Sequence, residues 1–129
     1  MLNNREYINK QQEEIEQLQD ERGKRTVMNI DEINGAIRTI ADTFGPKNQR
    51  LKLIEELSEL IKELSLDVAY DRQITQKTIN EIADVLILIE QVLYQEESAG
   101  LNANQLLENA IEYKLQRTLK RIEEGYYDK

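Results

Sequence analysis

The chain has 129 residues, carries a net charge of −8, and contains no cysteine and no histidine. This length predicts one domain, and the two absent residue types exclude disulfides, thiolate nucleophiles, imidazole bases and ordinary zinc sites. The negative charge argues against nucleic acid or an anionic membrane as a partner, and a bound metal would have to be a hard cation with oxygen ligands, such as Mg²⁺ or Mn²⁺.

Helix-forming residues dominate the chain, and no stretch alternates in the way of a β-strand. Gly23 should end the first helix. Gly45-Pro46 should end the second helix and begin the third, because proline is tolerated in a first turn. The chain is therefore predicted to be an all-α bundle of four to five helices, with segments at about 4–22, 30–44, 47–66, 76–97 and 103–124.

The chain has no targeting or membrane-spanning segment that can be recognised. Its N-terminal residues are too polar for a signal peptide. The longest apolar run, Val85 to Ile89, falls far short of the ~20 residues that span a bilayer. We therefore expect a cytoplasmic protein.

Two pairs of acidic residues lie at helical i, i+3 spacing. Glu56 and Glu59 fall about 60° apart on one edge of the third predicted helix, and Lys52 shares that edge. Glu81 and Asp84 form the second pair, on the fourth helix. If these helices pack antiparallel, four carboxylates crowd one site, where two like charges ~4 Å apart repel by roughly 4 kcal/mol at an effective dielectric near 20. Such a cluster requires bound cations or raised pKa values.

The acid pairs of the third and fourth predicted helices have different simplest explanations, a solvated surface for the first pair and a metal site for the second. The first pair, together with the neighbouring Glu55, is most simply a solvated helix face, because glutamate-rich faces are common. The second pair is followed at once by Val85–Ile89, which cover every side of the helix with apolar groups and predict burial. Because that helix has little polar surface, its two acids are unlike an ordinary solvated pair, and a metal site is the preferred interpretation.

Basic residues recur on the last predicted helix at i, i+3 and i+7, as Lys114, Arg117 and Arg121. They flank an apolar stripe, whereas Lys120 lies on another side of the helix. They are either long side chains that extend from a helix edge into water or a clamp on phosphate oxygens, for which arginine is well suited. Acids that bind metal and bases that bind phosphate together are what phosphoryl chemistry requires.

The acids form the pattern Glu-Glu-x-x-Glu, 21 residues, Glu-x-x-Asp, at Glu55, Glu56, Glu59, Glu81 and Asp84. This pattern resembles the MazG-like, all-α nucleoside triphosphate pyrophosphohydrolases. The resemblance extends over about residues 30–125, through Phe44, Gly45, Gln49 and Lys52 before the motif and Tyr113, Lys114, Leu115, Arg117, Arg121, Ile122 and Gly125 after it. Residues 1–28 lie outside it, so we assign 1–28 to a polar helical extension and 29–129 to the pyrophosphohydrolase domain.

The resemblance implies a site and a reaction. It implies that Mg²⁺ or Mn²⁺ is bound by Glu56, Glu59, Glu81 and Asp84, and that Glu55 belongs to the catalytic motif, although its helical angle directs it away from the other two acids of its helix. It implies that substrate phosphates are bound by Lys52, Lys114, Arg117 and Arg121. The implied reaction is hydrolysis of a nucleoside triphosphate to the monophosphate and pyrophosphate by water activated at the metal, in a homodimer or homotetramer. Related members include dUTPases, dCTP pyrophosphatases and phosphoribosyl-ATP pyrophosphatase.

A helical interaction module that keeps the metal site but has no activity is the alternative. The intact set of acids argues against it, and metal binding measured together with pyrophosphate release separates the two. The preferred base is not encoded in the motif. Phe44 is either the last core residue of its helix, which is the simpler explanation, or a surface on which a base stacks.

Overall fold

A computed structural model describes residues 4–21 and 27–127, and every regular element among them is a helix. The helices are α1 (Asn4–Glu21), α2 (Ile30–Ala69), α3 (Gln76–Ser98) and α4 (Ala103–Glu123). The predicted all-α class is confirmed. The predicted helix end at Gly23 lies outside the described residues. None of the described helices is long and apolar enough to cross a membrane.

The predicted break at Gly45-Pro46 is confirmed as a kink inside α2, where two helical segments meet at Gly45. Gly45 has φ 83° and ψ 166°, a backbone conformation that residues other than glycine rarely adopt. Pro46 begins the second straight segment of α2, where its missing N–H costs little. The Asn48 side-chain amide donates to the Phe44 carbonyl oxygen across the kink (2.7 Å). Residues on both sides of the kink consequently line one cavity.

The second segment of α2 runs antiparallel to α3, as the order of their polar contacts shows. Gln49, early in this segment, hydrogen-bonds to Gln91, late in α3. Glu63, late in the segment, forms an ion pair with Lys77 at the start of α3 (3.2 Å). Positions between these contacts on the two helices therefore face each other, which is the arrangement that the acid pairs require.

Two buried carboxylates each have a cationic partner at the end of this helix pair where residues 70–75 connect α2 to α3. Glu63 is 2% exposed and pairs with Lys77. Asp67 is 3% exposed and accepts hydrogen bonds from Thr78 Oγ1 (2.6 Å) and Arg72 Nε (2.8 Å). The Thr78 hydrogen bond, followed by that from Arg72, lowers the pKa of Asp67 and keeps it ionised. These contacts hold the α2–α3 connection in place and so set the register of the two helices.

Contacts within the chain divide it into two compact units, Met1–Val92 and Leu93–Lys129. Helix α1 belongs to the first unit, where Gln11 Nε2 donates to Asn80 Oδ1 of α3 (3.2 Å). The second unit contains the end of α3 and all of α4. The assignment of residues 1–28 to a separate extension stays a prediction.

Few apolar side chains are buried among the described residues. The buried ones are Ala41, Val85, Leu88 and Ala103. Leu86 and Ile87 are 58% and 42% exposed, so the expectation that the whole apolar run of α3 is buried is wrong for the single chain. The reason is that one chain does not surround α3, and the apolar residues on its outer side face solvent.

Candidate metal centre

Three carboxylates from two helices meet where α2 and α3 face each other. Glu56 comes from α2, and Glu81 and Asp84 come from α3. One carboxylate oxygen of each lies within 4.8 Å of the other two. The i, i+3 spacing places Glu81 and Asp84 on one face of α3, and the antiparallel register places Glu56 opposite them. Three of the four acids that the resemblance assigns to a metal therefore lie together.

This cluster has less positive charge around it than Glu63 and Asp67, which each have a cationic partner of their own. Lys52 Nζ lies 3.4 Å from Glu56, but it also lies 3.4 Å from Glu55. No ion pair reaches Glu81 or Asp84 within the described part of the chain. Glu81 Oε2 is buried there without a hydrogen-bond partner. One shared lysine does not balance three carboxylates, so the cluster is short of positive charge.

Crowding shifts the pKa values of these groups. Burial, followed by a hydrogen bond with Glu56 and the negative charges nearby, raises the pKa of Glu81 from 4.5 to about 7. Burial and the charge of Glu56 also raise the pKa of Asp84. The pKa of Lys52 is raised, first by its hydrogen bond to Glu56 and then by the charge of Glu55. The metal-free cluster therefore holds a proton close to neutral pH, which a bound cation would displace.

The ligand atoms of the cluster suit a small, hard divalent cation. All of them are carboxylate oxygens, which Mg²⁺ and Mn²⁺ accept and which soft metals do not prefer. A cation at this position would pair with the unpaired Glu81 oxygen and offset the repulsion among the three acids. Glu56, Glu81 and Asp84 thus fit the metal that the resemblance implies.

The other two acids of the motif stand apart from the cluster. Glu59 is exposed, and its oxygens are not among the three that group together, although its charge contributes to the raised pKa of Glu81. Its role as a ligand stays a prediction. The Glu55 side chain is 63% exposed and pairs with Lys52. That position agrees with a helical angle directed away from the cluster, and nothing in the geometry gives Glu55 a catalytic contact.

The predicted basic residues lie on α4, in the second unit. Arg117 and Arg121 are half-buried, and Lys114 is exposed. The Arg117 guanidinium lies 5.5 Å from the centre of the Tyr113 ring, and that of Arg121 lies 5.1 Å from the centre of the Tyr126 ring. Such stacking orders a guanidinium while leaving most of its N–H donors free for an anion. The assignment of these three side chains to substrate phosphates stays a prediction.

A cavity of about 440 Å³ adjoins the acid cluster within the first unit. Lys52, Glu56 and Asp84 line one part of it. The rest of the wall is apolar or carries side-chain amides, from Ile40, Phe44, Asn48, Gln49, Ile87, Leu88 and Gln91. This volume lies within the range of about 300–1,000 Å³ that is usual for small-molecule sites, which combine apolar walls with a few polar groups.

Gln91 is a buried cavity residue that the sequence interpretation missed. It lies seven residues after Asp84 and three after Leu88, hence on the face of α3 that carries the acids. It is 1% exposed. A glutamine at the core-facing position of an apolar helix was the available signal, because a buried amide requires a hydrogen-bond partner.

The protonation of Glu81 leads to a prediction about metal-free stability. We expect wild type to lose stability relative to Glu81→Gln as the pH rises from about 4.5 to about 7. In this window the folded chain holds a proton on Glu81, whereas the unfolded chain has released it. The contribution of this proton to the free energy of unfolding is complete below the ordinary pKa of 4.5. It is lost as the pH rises through the folded-state pKa of about 7.

Urea unfolding in EDTA across this range measures the difference. Glu90→Gln is the matched control, because it removes the same charge from an exposed position of α3. A free-energy difference between wild type and Glu81→Gln that does not change with pH would contradict the raised pKa.

Comparison of the chain with protein-family models, curated proteins and solved structures finds no match. The resemblance to MazG-like enzymes therefore rests on the spacing of the acids and on the flanking residues alone, and it stays a prediction.

Proposed function

We propose that this chain is a cytoplasmic, Mg²⁺-dependent hydrolase that cleaves a nucleoside triphosphate to the monophosphate and pyrophosphate. The observation that carries the proposal is the cluster of Glu56, Glu81 and Asp84 beside a cavity of about 440 Å³. A triphosphate at the acidic end of the cavity would leave the apolar and amide-lined part for the nucleoside. The resemblance to MazG-like enzymes supports the same reaction.

The side chains of this site would bind the metal, orient the attacking water and contact a phosphate oxygen. Bound Mg²⁺ would supply the positive charge that neutralises the carboxylates and polarises the phosphoanhydride. Glu56, Glu81 and Asp84 would hold it, and a carboxylate oxygen left over would orient the attacking water and accept its proton. Lys52 lines the same cavity and stays protonated, so it can contact a phosphate oxygen. Attack of water on one phosphorus of the α–β anhydride would form one P–O bond as the bridging P–O bond breaks, which releases the monophosphate and pyrophosphate.

A panel of ribonucleoside and deoxyribonucleoside triphosphates with Mg²⁺ tests the proposal. Chromatography identifies the nucleotide product, and a phosphate assay with and without added pyrophosphatase identifies the second product as pyrophosphate or orthophosphate. We expect one monophosphate and one pyrophosphate per turnover for at least one nucleotide. A diphosphate and orthophosphate would contradict the proposed bond cleavage. Mg²⁺ binding by calorimetry without turnover of any nucleotide would instead favour a helical interaction module.

The basic residues of α4 allow an internal comparison. We expect Arg117→Ala to lower kcat/KM at least about tenfold and Lys120→Ala to remain close to wild type. Charge-assisted contacts to phosphate are typically worth ~1.5–3 kcal/mol, or roughly ten- to a hundredfold. Arg117 is half-buried and stacked on Tyr113, whereas the Lys120 side chain is 75% exposed and lies 3.9 Å from Glu124.

Steady-state kinetics on the two variants measure this difference. Both changes remove one positive charge from the same helix, so their effect on net charge is equal. Equal losses of activity would mean that α4 contributes only bulk charge, and the phosphate-binding role of Arg117 would be wrong.

We further propose that the active form is a homo-oligomer built on a dimer. Large apolar side chains recur at heptad spacing along the second segment of α2, and all of them are exposed: Ile54, Leu57, Ile61, Leu64 and Val68. This stripe is about 21 Å long at 1.5 Å per residue and lies on the side of the helix opposite Glu59. A continuous exposed apolar surface of this kind usually marks an interface, and a second copy offers the complementary stripe.

The dimer is tested by one substitution within the stripe. We expect wild type to sediment as a dimer and Ile61→Glu to sediment as a monomer of 15.1 kDa, because a carboxylate would be buried in the interface. Lys62→Glu is the control, since it changes the charge more but lies outside the stripe on an exposed side of α2. A wild-type monomer at every concentration, or a dimer that survives Ile61→Glu, would exclude this interface.

A further inference from the structure

Two glutamine side chains form a hydrogen-bonded pair in the wall of the cavity. Gln49 is 5% exposed and Gln91 is 1% exposed. Gln49 Nε2 donates to Gln91 Oε1, and neither side chain makes another hydrogen bond within the described ranges 4–21 and 27–127. Two amide atoms of the pair therefore make no hydrogen bond at all within those ranges, the acceptor Gln49 Oε1 and the donor Gln91 Nε2. If both amides are turned over, the two residues exchange roles and the pair still offers one donor and one acceptor.

This open donor and acceptor are available to a ligand and are more than the packing of α2 on α3 requires. Tying α2 to α3 requires one hydrogen bond, and apolar residues of similar size would pack there without an open polar atom. Neither atom is among the buried side-chain atoms of the described residues that lack a hydrogen-bond partner, so both atoms reach solvent. Both glutamines line the cavity, and so do Glu56 and Asp84 of the acid cluster, so a ligand in this space can replace water at the open donor and acceptor.

The rest of the cavity wall suits a flat aromatic ligand. Phe44, Ile40, Ile87 and Leu88 supply its apolar surface. Phe44 is 56% exposed, so its ring is available for stacking and is not the core residue of its helix that the sequence favoured. The kink at Gly45 and the Asn48 hydrogen bond to the Phe44 carbonyl oxygen hold this turn of α2 in place. Aromatic rings that stack on a base bind any base, whereas hydrogen bonds to its edge distinguish one base from another.

We propose that the Gln49–Gln91 pair recognises the polar edge of a nucleobase that stacks on Phe44. The ligand class is a nucleotide whose base presents a donor and an acceptor side by side, as an exocyclic amino or carbonyl group next to a ring nitrogen does. Inorganic polyphosphates and sugar phosphates lack this edge. The inference rests on the proposed function in one respect, namely that the phosphates lie at the acid cluster.

The kinetic test compares two substrates that differ only at this edge. One is the nucleotide that wild type hydrolyses best, and the other is its analogue without the exocyclic group, with unsubstituted purine or pyrimidin-2-one as the base. We expect kcat/KM for the analogue to be at least about tenfold lower, mainly through KM, because the amide atoms are left unpaired. Gln91→Met should bring this ratio close to one. Gln95→Met should keep it, since Gln95 is a buried glutamine one turn further along α3 that does not line the cavity.

A purely structural role for the pair predicts a different result. Gln91→Met would then slow both substrates by the same factor and leave their ratio unchanged, which would overturn the proposal. Gln91→Glu is a second test of base recognition against a purely structural role. Its side chain can still accept the hydrogen bond from Gln49, but it has no donor. Recognition of the base predicts that selectivity is lost in Gln91→Glu as in Gln91→Met, whereas a purely structural role predicts that both variants keep the wild-type ratio.

A binding measurement separates this proposal from the proposed reaction. Nucleosides without phosphate, in EDTA, can be titrated into wild type, Gln91→Met and Gln95→Met and followed by ligand-observed NMR. We expect binding to wild type and Gln95→Met and weaker binding to Gln91→Met, whether or not any triphosphate is hydrolysed. Equal binding to all three proteins, or no binding at millimolar nucleoside, would overturn the base pocket. Loss of turnover with intact nucleoside selectivity would overturn only the hydrolase.

Discussion

Asp84→Asn is expected to lower kcat at least about a hundredfold while the helical fold persists. The substitution keeps the shape of the side chain but removes one of the three charges that would hold the metal. Stabilisation of charge by a bound metal is typically worth several kcal/mol, and about 1.4 kcal/mol corresponds to a tenfold change in rate. Steady-state turnover of the best nucleotide, with Mg²⁺ in excess, measures the loss.

The stability of the same variant shows whether that loss is local. Because burial and the charge of Glu56 raise the pKa of Asp84, its ionised form is disfavoured in the folded state. Asp84→Asn in EDTA should therefore melt at or above the wild-type temperature near neutral pH. Glu90→Gln, which removes a charge from an exposed position of α3, should leave turnover unchanged. Near-wild-type turnover in Asp84→Asn would refute the ligand assignment.

Glu59→Gln addresses the acid that the structure leaves outside the cluster. The resemblance predicts that this change also abolishes turnover, which would mean that Glu59 joins the other ligands when the cation binds. Wild-type turnover would restrict the site to Glu56, Glu81 and Asp84.

Removal of divalent metal is expected to abolish activity completely, and addition of Mg²⁺ or Mn²⁺ should restore it. The chain has no histidine or cysteine that could act as an alternative base or nucleophile, and its acids need a cation to engage a triphosphate of the same charge. Mg²⁺ should also stabilise the fold, because the assembled cluster binds it and the unfolded chain does not. At a free concentration 100 times the Kd the gain is about 2.7 kcal/mol.

Thermal unfolding over a Mg²⁺ titration measures this stabilisation. NaCl at matched ionic strength is the control for general screening of a chain with net charge −8. Asp84→Asn should show a much smaller rise in melting temperature than wild type. Full activity in EDTA, or a melting temperature that follows ionic strength alone, would exclude the carboxylate site.

Local features of this protein follow from its sequence alone. The predicted segments agree with α1, α3 and α4 to within about two residues, since periodicity and the breaks at glycine and proline are properties of neighbouring residues. The i, i+3 spacing of Glu81 and Asp84 places both on one face of any helix that contains them. The absence of histidine and cysteine restricts a metal to oxygen ligands before any fold is known.

Only the tertiary structure decides which of these local features meet. Glu56 and Glu59 are nearly equivalent on the helix, yet only Glu56 lies with the α3 acids, because the register of α2 against α3 depends on contacts such as Gln49 with Gln91 and Glu63 with Lys77. Those contacts join residues that are distant in the chain. Periodicity carries no information about them, since it describes one helix at a time, whereas the site is made by the packing of two.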